Sequence, residues 1–505
     1  MPDGRYWLQT LGCPKNQVDS DKLEGVLAAQ GYLPASVLDE ADLVVVNTCA
    51  FIDAARQESI DTVLELAEDR APGARLVVTG CMAARYGDEL AEAMPEVDLV
   101  AGFGQSLTAR APSPAPVALS RRRPARTAAG AARAADAGQS PSVTQPDAVT
   151  PSAAAFDLLS LPRPPSRVPW AYVKVAEGCD RRCGFCAIPS FRGAQRSRPV
   201  ADVLAEVASL TASREMPVQE VVLVAQDLAS YGRDRSDRRR HHEGADASSN
   251  AAGRPTPLVA LVTEIARAVP RTRLLYLYPS GLTGELIEAV LSTGVPYFDL
   301  SLQHVSRPHL ARMRRWGEGE RFLARIEAIR RMAPEATFRS SFIVGYPGET
   351  DEDHDALLEF LAAARLDWAG FFAFSREPGT AADTMGDQVP EPLALERLRE
   401  CTELQDAITA ERRDLLVGEV REVLVDAPGI GRSIHEAPEI DGVVHVPATL
   451  PVGALVALRI TEALGTDLVA GQLGAGQLGA VPVAASDAHR GAGAPVGASS
   501  VVSGR

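Results

Sequence analysis

The sequence predicts an α/β protein with three folded domains: an N-terminal open parallel sheet, a central partial α/β barrel and a small C-terminal β-barrel. Apolar runs alternate with amphipathic stretches in residues 1–110, and the same alternation returns in residues 166–405. Residues 406–475 instead contain short β-rich runs separated by Gly and Pro, as in small OB-like barrels. The length of 505 residues agrees with roughly three domains.

The N-terminal domain is predicted from four apolar runs that have the length of buried strands. They are Tyr6–Leu11, Leu43–Val46, Leu76–Val78 and Val97–Val100. Helical spacing of apolar residues fills the intervals, in Asp19–Gln30, Asp53–Glu68 and Ala83–Met94. This alternation favours a parallel sheet covered by helices.

The central domain has six strand candidates of the same kind. They are Ala171–Val175, Glu220–Val224, Arg273–Tyr278, Tyr297–Leu302, Thr337–Val344 and Gly370–Phe374. Six strands favour a partial α/β barrel over a small doubly wound sheet, although the same alternation is found in both folds.

Three segments lack the composition of a packed core. Residues 111–165 are rich in Ala, Pro, Ser and Arg, which predicts a disordered linker. Residues 232–257 are polar and are expected to form a surface insertion in the central domain. Residues 476–505 are rich in Gly, Ala and Ser and are expected to be a disordered tail.

Charge and composition argue against several classes of protein. The net charge of −15 gives the whole molecule no bulk attraction for nucleic acid, although it is compatible with a local basic face. Residues 1–10 lack the pattern of a signal peptide, and no run is long enough to span a bilayer. We therefore expect a cytoplasmic protein with no membrane partner, whose seven cysteines are reduced thiols.

The strongest chemical signal is the segment Cys179-Asp-Arg-Arg-Cys183-Gly-Phe-Cys186. One short loop can wrap three thiolates at these spacings around a single metal centre. A [4Fe–4S] cluster that only carries electrons is usually held by four cysteines, whereas three leave one iron open to another ligand. A zinc knuckle is the alternative, but it needs a fourth ligand, and no His lies within fifty residues on either side. The segment therefore predicts an iron–sulfur cluster.

A second set of cysteines is indicated by its placement rather than by its spacing. Cys13, Cys49 and Cys81 each follow an apolar strand candidate by two or three residues. Because residues just beyond the strands of an open parallel sheet share one crevice, these three thiols are expected to converge on a second cluster. Three unrelated buried cysteines are the alternative. Cys401 lies in a helical stretch and is expected to be structural.

The spacing CxxxCxxC, with an aromatic residue before the last cysteine, resembles that of the radical S-adenosylmethionine (SAM) superfamily. The whole chain resembles the methylthiotransferases, which join a three-cysteine domain, a radical-SAM domain and a small barrel called TRAM in this order. The resemblance covers residues 5–103, 168–400 and 411–472. It rests on the segments Leu11-Gly-Cys-Pro-Lys-Asn16, Val46-Asn-Thr-Cys49, Thr79-Gly-Cys-Met82, Gln303-His304 and Phe342-Ile-Val-Gly-Tyr-Pro-Gly-Glu-Thr350.

This resemblance implies an enzyme with two [4Fe–4S] clusters and SAM. The cluster on Cys179, Cys183 and Cys186 would bind SAM through its open iron, and reduction would release a 5′-deoxyadenosyl radical. The cluster on the first-domain cysteines would carry the sulfur, and a reductant protein such as a flavodoxin would supply electrons. The superfamily also implies contacts with SAM, at Phe185, Gln226, Arg339 and Gly345.

Two further residues near these motifs are expected to have structural roles. His304 is interpreted as a hydrogen-bonded core histidine. Thr350 or Asp351 is interpreted as a helix cap rather than a catalytic group.

The charge of the C-terminal barrel favours one branch of the family. One branch modifies an adenosine of tRNA, and the other modifies the β-carbon of an aspartate in ribosomal protein twelve of the small subunit. Residues 411–475 contain five basic and ten acidic residues and no lysine, which suits a basic protein partner better than RNA. The segments 431–442 and 224–227 also resemble the ribosomal-protein branch. The alternatives are tRNA modification and, from another class, a non-catalytic iron–sulfur carrier.

Overall fold

The computed structural model describes residues 4–108, 157–235 and 255–473. The N-terminal domain is a five-stranded parallel sheet with the order β2-β1-β3-β4-β5, as expected for its class. Its elements are β1 (Gly4–Thr10), α1 (Pro14–Ala29), β2 (Tyr32–Pro34), β3 (Leu43–Thr48), α2 (Asp53–Asp69), β4 (Arg75–Gly80), α3 (Cys81–Ala93) and β5 (Leu99–Val100). The short edge strand β2 was not predicted. Strand β3 is buried along its whole length, which explains its unbroken apolar run.

The central domain is the predicted partial barrel, built from two three-stranded parallel sheets. Its strands are β6 (Trp170–Lys174), β7 (Ala176–Glu177), β8 (Arg196–Ser197), β9 (Glu220–Val224), β10 (Arg271–Leu274), β11 (Tyr297–Gln303), β12 (Thr337–Val344) and β13 (Trp368–Ala373). Its helices include α4 (Ile188–Arg192), α5 (Val200–Thr211), α6 (Pro257–Ala268), α7 (Gly284–Leu291), α8 (Arg307–Arg312), α9 (Gly319–Met332), α10 (Asp351–Ala364) and α11 (Glu391–Asp414). The sheets have the orders β10-β9-β6 and β11-β12-β13.

The predicted strand Arg273–Tyr278 was wrong at both ends. Strand β10 ends at Leu274, and an isolated parallel bridge between Leu277 and Leu300 connects the two sheets. The strand stops because Tyr276 has a φ of 64°, and its N–H donates 2.9 Å to Asp299 Oδ2 instead of joining the ladder. The barrel is therefore a curved six-stranded wall with a break after its third strand.

The end of the predicted linker is ordered, so the prediction of disorder was wrong for residues 157–165. Asp157 caps a turn of 3₁₀ helix at Leu158–Ser160, and Arg163 Nη1 donates 2.6 Å to the Tyr172 carbonyl. Average composition missed this stretch because its apolar side chains are few: Leu159 is buried and Leu158 packs against the core of the N-terminal domain. Residues 111–156 of the linker, 236–254 of the insertion and the tail 476–505 lie outside the described residues.

The C-terminal domain is a closed five-stranded barrel with the order β14-β15-β16-β18-β17. Its strands are β14 (Val420–Ala427), β15 (Ile430–Arg432), β16 (Val444–His445), β17 (Leu455–Leu464) and β18 (Asp467–Gln472). Alternate residues of these strands, such as Val423, Val425, Leu458 and Ile460, fill its core. None of the helices in the described ranges combines the length and apolar character that a bilayer span requires.

A loop of this barrel closes the amino end of the central domain. Residues 433–443, between β15 and β16, are called the plug below. Tyr172 of β6 donates its hydroxyl 2.7 Å to the Pro438 carbonyl, and Trp368 of β13 donates 2.7 Å to the His435 carbonyl. Because these partners lie near the starts of the first and last strands, the plug spans the bottom of the partial barrel.

Buried ion pairs fix the plug and its base. Arg432 donates 3.0 Å to Glu220 at the start of β9, and Glu220 also accepts 2.7 Å from Arg273. Within the plug, Glu436 accepts from Arg413 of α11. Burial alone would raise the pKa of Glu436, but Arg413 and His435 outweigh it and lower the pKa to about 2. Glu220 reaches the same pKa of about 2 beside its arginines.

The plug should therefore lose stability in acid. Both carboxylates have depressed pKa values in the fold, so their contribution is present above pH 4.5 and is lost as the pH falls toward 2. Burial raises the pKa of Asp441 from 3.8 to about 6. Protonation of this carboxyl therefore makes the folded state more stable as the pH falls from 6 to 3.8, which is opposite to the effect of the other two carboxylates. We expect the urea concentration at which the fluorescence of Trp170 and Trp368, the tryptophans packed against the plug, changes to decrease as the pH is lowered below 4.5. The decline should be shallower in Glu436→Gln, and parallel declines would contradict this assignment.

Candidate active site at the domain junction

The three cysteines of the N-terminal domain follow three adjacent strands of its sheet. Cys13 lies beyond β1 and precedes the first turn of α1, Cys49 directly follows β3, and Cys81 directly follows β4 and begins α3. The strand order reverses between β1 and β3, and the crevice at such a point is the usual ligand site of an open α/β sheet.

Asn16 ties the ends of these strands together. Its side-chain amide donates 2.9 Å to the Leu11 carbonyl after β1 and 3.1 Å to the Thr48 carbonyl of β3. Its Oδ1 lies 3.5 Å from Cys81 Sγ. A Cβ on Gly12, which has a φ of 93°, would lie 3.0 Å from Cys49 Sγ. The loop after β1 therefore packs tightly around the thiols.

The first-domain thiols are near enough to affect one another electrostatically. Burial, with the neighbouring Cys13 and Cys81, raises the pKa of Cys49 to about 12. Burial alone would also raise the pKa of Cys13, but Lys15 and Arg192 outweigh it and lower that pKa. Without a metal, Cys13 is the thiol most easily ionised, and metal binding would drive the other two to the thiolate form.

The second set of cysteines lies in the loop between β7 and α4. Burial raises the pKa of Cys179 to about 11 and that of Cys186 to about 12. Cys183 Sγ accepts a 3.5 Å hydrogen bond from Arg315, and Cys179 Sγ accepts one of 3.4 Å from the backbone N–H of Arg181. Cationic and N–H donors thus face sulfur atoms that would be anionic as ligands.

Packing fixes the shape of this cysteine loop. The Gly184 N–H donates 2.8 Å to the Met313 carbonyl, and the Gly184 carbonyl accepts 2.8 Å from the Ala382 N–H. A Cβ on Gly184 would lie only 2.5 Å from the Tyr346 hydroxyl.

Among the residues that the structure describes, no three His, Cys, Asp or Glu side chains stand close enough to share a single metal ion.

Arg192, from the end of α4, connects the two cysteine-bearing domains. Its Nη2 donates 3.0 Å to Cys81 Sγ and 2.7 Å to Asn16 Oδ1. Its Nη1 donates 3.1 Å to Asp19 of α1 and 2.9 Å to Glu177, which lies two residues before Cys179. A single buried guanidinium therefore reaches from the second cysteine loop to the first cysteine set.

Besides Gln226, an expected SAM contact, the same buried network includes residues that the sequence did not single out, namely Lys174, Asp19 and Glu177. Lys174 of β6 pairs with Asp19 and lies 2.8 Å from Glu177, and Gln226 donates 2.8 Å to Glu177. Burial alone would raise the pKa of Glu177, but Arg192 and Lys174 lower it well below its usual range. The one sequence signal was a lysine within an apolar strand that leads into a cysteine loop.

The four expected SAM contacts fall in different surroundings. Phe185 is half-buried against the central core, and Gln226, just past β9, has a buried Oε1 with no partner among the described residues. Gly345 follows β12 with a φ of 75°, and its N–H donates to Glu349. Arg339 instead lies between Asp299 and Asp441 of the plug, at 3.5 and 3.3 Å. The first three border the carboxyl ends of the strands, whereas Arg339 faces the plug.

The residues expected to be structural have those environments. His304 is fully buried and lies 3.3 Å from Glu349. Thr350 caps α10 in a capping box with Asp353. Cys401 is buried in α11, and burial raises its pKa to about 12.

The acidic count of the C-terminal barrel needs a structural correction. Asp426, Glu436 and Asp441 are held in largely buried ion pairs with Arg432, Arg413 and Arg339. Taking these three carboxylates and the two guanidiniums that belong to the barrel segment out of the count lowers the acidic excess by one. The segment 431–442 also faces the central domain, so its resemblance to the ribosomal-protein branch does not locate a substrate surface.

Comparisons with known proteins match all three domains. Residues 5–102 match the Uncharacterized protein family UPF0004, residues 173–361 the Radical SAM superfamily and residues 417–472 the TRAM domain. The protein named ribosomal protein uS12 methylthiotransferase RimO from Kineococcus radiotolerans is 40% identical over 92% of this chain and 96% of its own. Its namesake from Moorella thermoacetica is 40% identical over 90% and 95%, respectively.

Solved structures give a more distant likeness. The radical SAM methyltransferase TsrM from Kitasatospora setae, with tryptophan and a SAM analogue bound, superposes with a TM-score of 0.43 at 15% identity, covering 87% of this chain and 80% of that chain. The curated relatives decide the family. The chain belongs to the radical-SAM methylthiotransferase family, and membership of the radical SAM superfamily brings an iron–sulfur cluster and SAM.

Proposed function

We propose that this methylthiotransferase modifies the β-carbon of an aspartate in ribosomal protein uS12, using two [4Fe–4S] clusters, one on each set of three cysteines. The observation that carries the proposal is that two three-thiol sets, on the carboxyl ends of two neighbouring parallel sheets, share one buried network through Arg192. The sequence relatives named for this activity support the choice of substrate.

The residues at both sets fit iron–sulfur clusters with an open iron. Each set offers three thiols, with Arg192 beside Cys81 and Arg315 beside Cys183 to offset anionic charge. A four-iron cluster presents its irons at separate corners, so its thiolates need not meet at one point. The unpartnered Oε1 of Gln226 leaves a polar contact available for the SAM amino group. When bound, cluster and SAM supply the radical that can remove hydrogen from an unactivated C–H bond.

The chain itself shapes the space where a substrate would react. The plug closes the amino end of the central barrel, and its Ile434, Ala437 and Ile440 pack with Tyr297 and Trp368 in the lumen. A substrate must therefore enter at the carboxyl ends of the strands, beside the cysteine loops. Closure of the opposite end keeps water from reaching the lumen through it.

The choice of a protein substrate over tRNA rests on charge as well as on the relatives. The acidic excess of the C-terminal barrel persists after its buried ion pairs are removed, and it would attract a basic ribosomal protein. Such a substrate implies action in the cytoplasm. Reduction would come from a small electron-transfer protein such as a flavodoxin.

The proposal is tested by product analysis of the holoenzyme. Full-length protein reconstituted anaerobically with iron and sulfide would receive SAM, reductant and either ribosomal protein uS12 or a tRNA anticodon stem-loop. We expect mass spectrometry to show replacement of one hydrogen by SCH₃ on an aspartate of the protein alone, with a reaction lacking SAM as the control. The same change on the RNA alone would show that the substrate is tRNA and not the ribosomal protein. Cleavage of SAM without either product would contradict both substrates.

A further inference from the structure

Lys15 is a cation without an anionic partner beside the first cysteine set. It lies two residues after Cys13, in the first turn of α1, and its Nζ is 3.3 Å from the centroid of the Tyr276 ring. No carboxylate within the described ranges lies at ion-pair distance from this ammonium. A cation in the first turn also opposes the helix dipole. Cys13 and Asp299 are near enough to attract the ammonium, but neither makes a hydrogen bond or an ion pair with it.

The neighbouring buried and half-buried cations all have hydrogen-bond acceptors, unlike Lys15. Most pair with carboxylates: Lys174 with Asp19 and Glu177, Arg192 with the same two, Arg181 with Asp227, and Arg339 with Asp299 and Asp441. Arg315 has no carboxylate, but it donates to the Ser301 carbonyl and to Cys183 Sγ. Lys15 alone in this group has neither a carboxylate partner nor a hydrogen-bond acceptor for its ammonium, which lies over the ring of Tyr276 and near the Cys13 thiol.

Tyr276, whose ring lies against the Lys15 ammonium, is held in a strained backbone conformation. Its φ of 64° is unfavourable for a bulky residue, and the backbone keeps it because Asp299 accepts the Tyr276 N–H at 2.9 Å. Strain of this kind persists where the surroundings enforce it, and it concentrates at functional sites. Here it places an aromatic ring under the ammonium, at the break between β10 and the bridge to β11.

We propose that Lys15 binds the side-chain carboxylate of the substrate aspartate. This inference rests on the proposed function, because it presupposes a substrate with a carboxylate next to the reacting carbon. The β-carbon of aspartate is bonded directly to its carboxylate, so an ammonium that grips the carboxylate holds the β-carbon close to the Cys13 set. The interaction is a charge-assisted hydrogen bond made beside a lumen that the plug shields from water. The other possible carboxylate is that of SAM.

Binding without turnover tests the inference. Anaerobic, unreduced holoenzyme with saturating SAM would be titrated with ribosomal protein uS12 and with its Asp→Asn form at the target position. We expect wild type to prefer the aspartate form, and Lys15→Met to weaken binding of that form by about 10- to 100-fold, as for loss of a hydrogen bond to a charged group. Binding of the asparagine form should change little. Lys15→Arg should recover part of the preference.

The control lies on the same helix. Lys22 pairs with Glu206 of α5 at 2.7 Å, and Lys22→Met should leave the preference for aspartate intact. If Lys15→Met keeps the preference, or if it weakens SAM binding instead, the inference is wrong. If it only alters iron content or the visible spectrum, Lys15 serves the cluster and not the substrate. Failure of wild type to bind either form would overturn the proposed function itself.

Discussion

Arg192→Met is expected to destabilise the junction of the first two domains by about 3–5 kcal/mol, the usual effect of removing one partner from a buried ion pair. The guanidinium is buried, and its loss leaves Asp19 and Glu177 to share Lys174 as their remaining close cation. It also removes hydrogen bonds to Cys81 and Asn16. The lysine ammonium cannot donate to all four acceptors of the planar guanidinium, so Arg192→Lys should recover little of the lost stability.

Native-state hydrogen exchange is the appropriate measurement, because a chain of three domains does not unfold in one step. Faster exchange should appear in α1 and at the end of β6. Arg196→Met is the matched control: it lies in the same segment, and its ion pair with Asp157 is about half exposed, which limits its worth to roughly 1 kcal/mol or less. Equal effects of the two substitutions would show that Arg192 does not connect the domains.

Substitutions in the two cysteine sets are expected to separate cleavage of SAM from formation of the methylthio product. Reconstituted Cys183→Ala should lose cleavage of SAM and therefore all product. Cys81→Ala should still cleave SAM but form no methylthio product, because the sulfur-donating set would be incomplete. Each variant should bind about half of the wild-type iron if each set holds one [4Fe–4S] cluster.

Iron analysis, SAM cleavage and product mass would be measured on the same preparations. Cys401→Ala is the control, since Cys401 is buried in α11 away from both sets and should leave iron content unchanged. Product formation by Cys81→Ala would remove the basis for a second cluster. Loss of SAM cleavage in both variants would show that the sets do not act separately.

The sequence was informative where function depends on local order along the chain. Cys13, Cys49 and Cys81 could be grouped because each follows an apolar run, and parallel pairing of β1, β3 and β4 makes those positions neighbours. The loop from Cys179 to Cys186 was visible from spacing alone. Whether these thiols hold clusters stays a prediction.

Ion pairs between residues that are distant in the sequence could not be predicted from it. Arg192 meets its partners Asp19 and Asn16 from 173 and 176 positions away, and Arg432 meets Glu220 from 212 positions away. Sequence periodicity does not reveal such pairs, so neither the role of Arg192 nor the position of the plug was predicted. The strained Tyr276 was read as ordinary strand for the same reason, because the Asp299 carboxylate that turns it belongs to another strand.

The plug has a consequence for how the polypeptide is made. Strands near the middle of the chain receive part of their packing from residues 433–443, which leave the ribosome long after those strands do. The lumen of the radical-SAM domain therefore lacks this packing during synthesis until the C-terminal barrel has emerged. The order of translation thus delays a closed catalytic chamber until the full chain exists, and deleting the barrel would remove a wall of that chamber and not just an appended module.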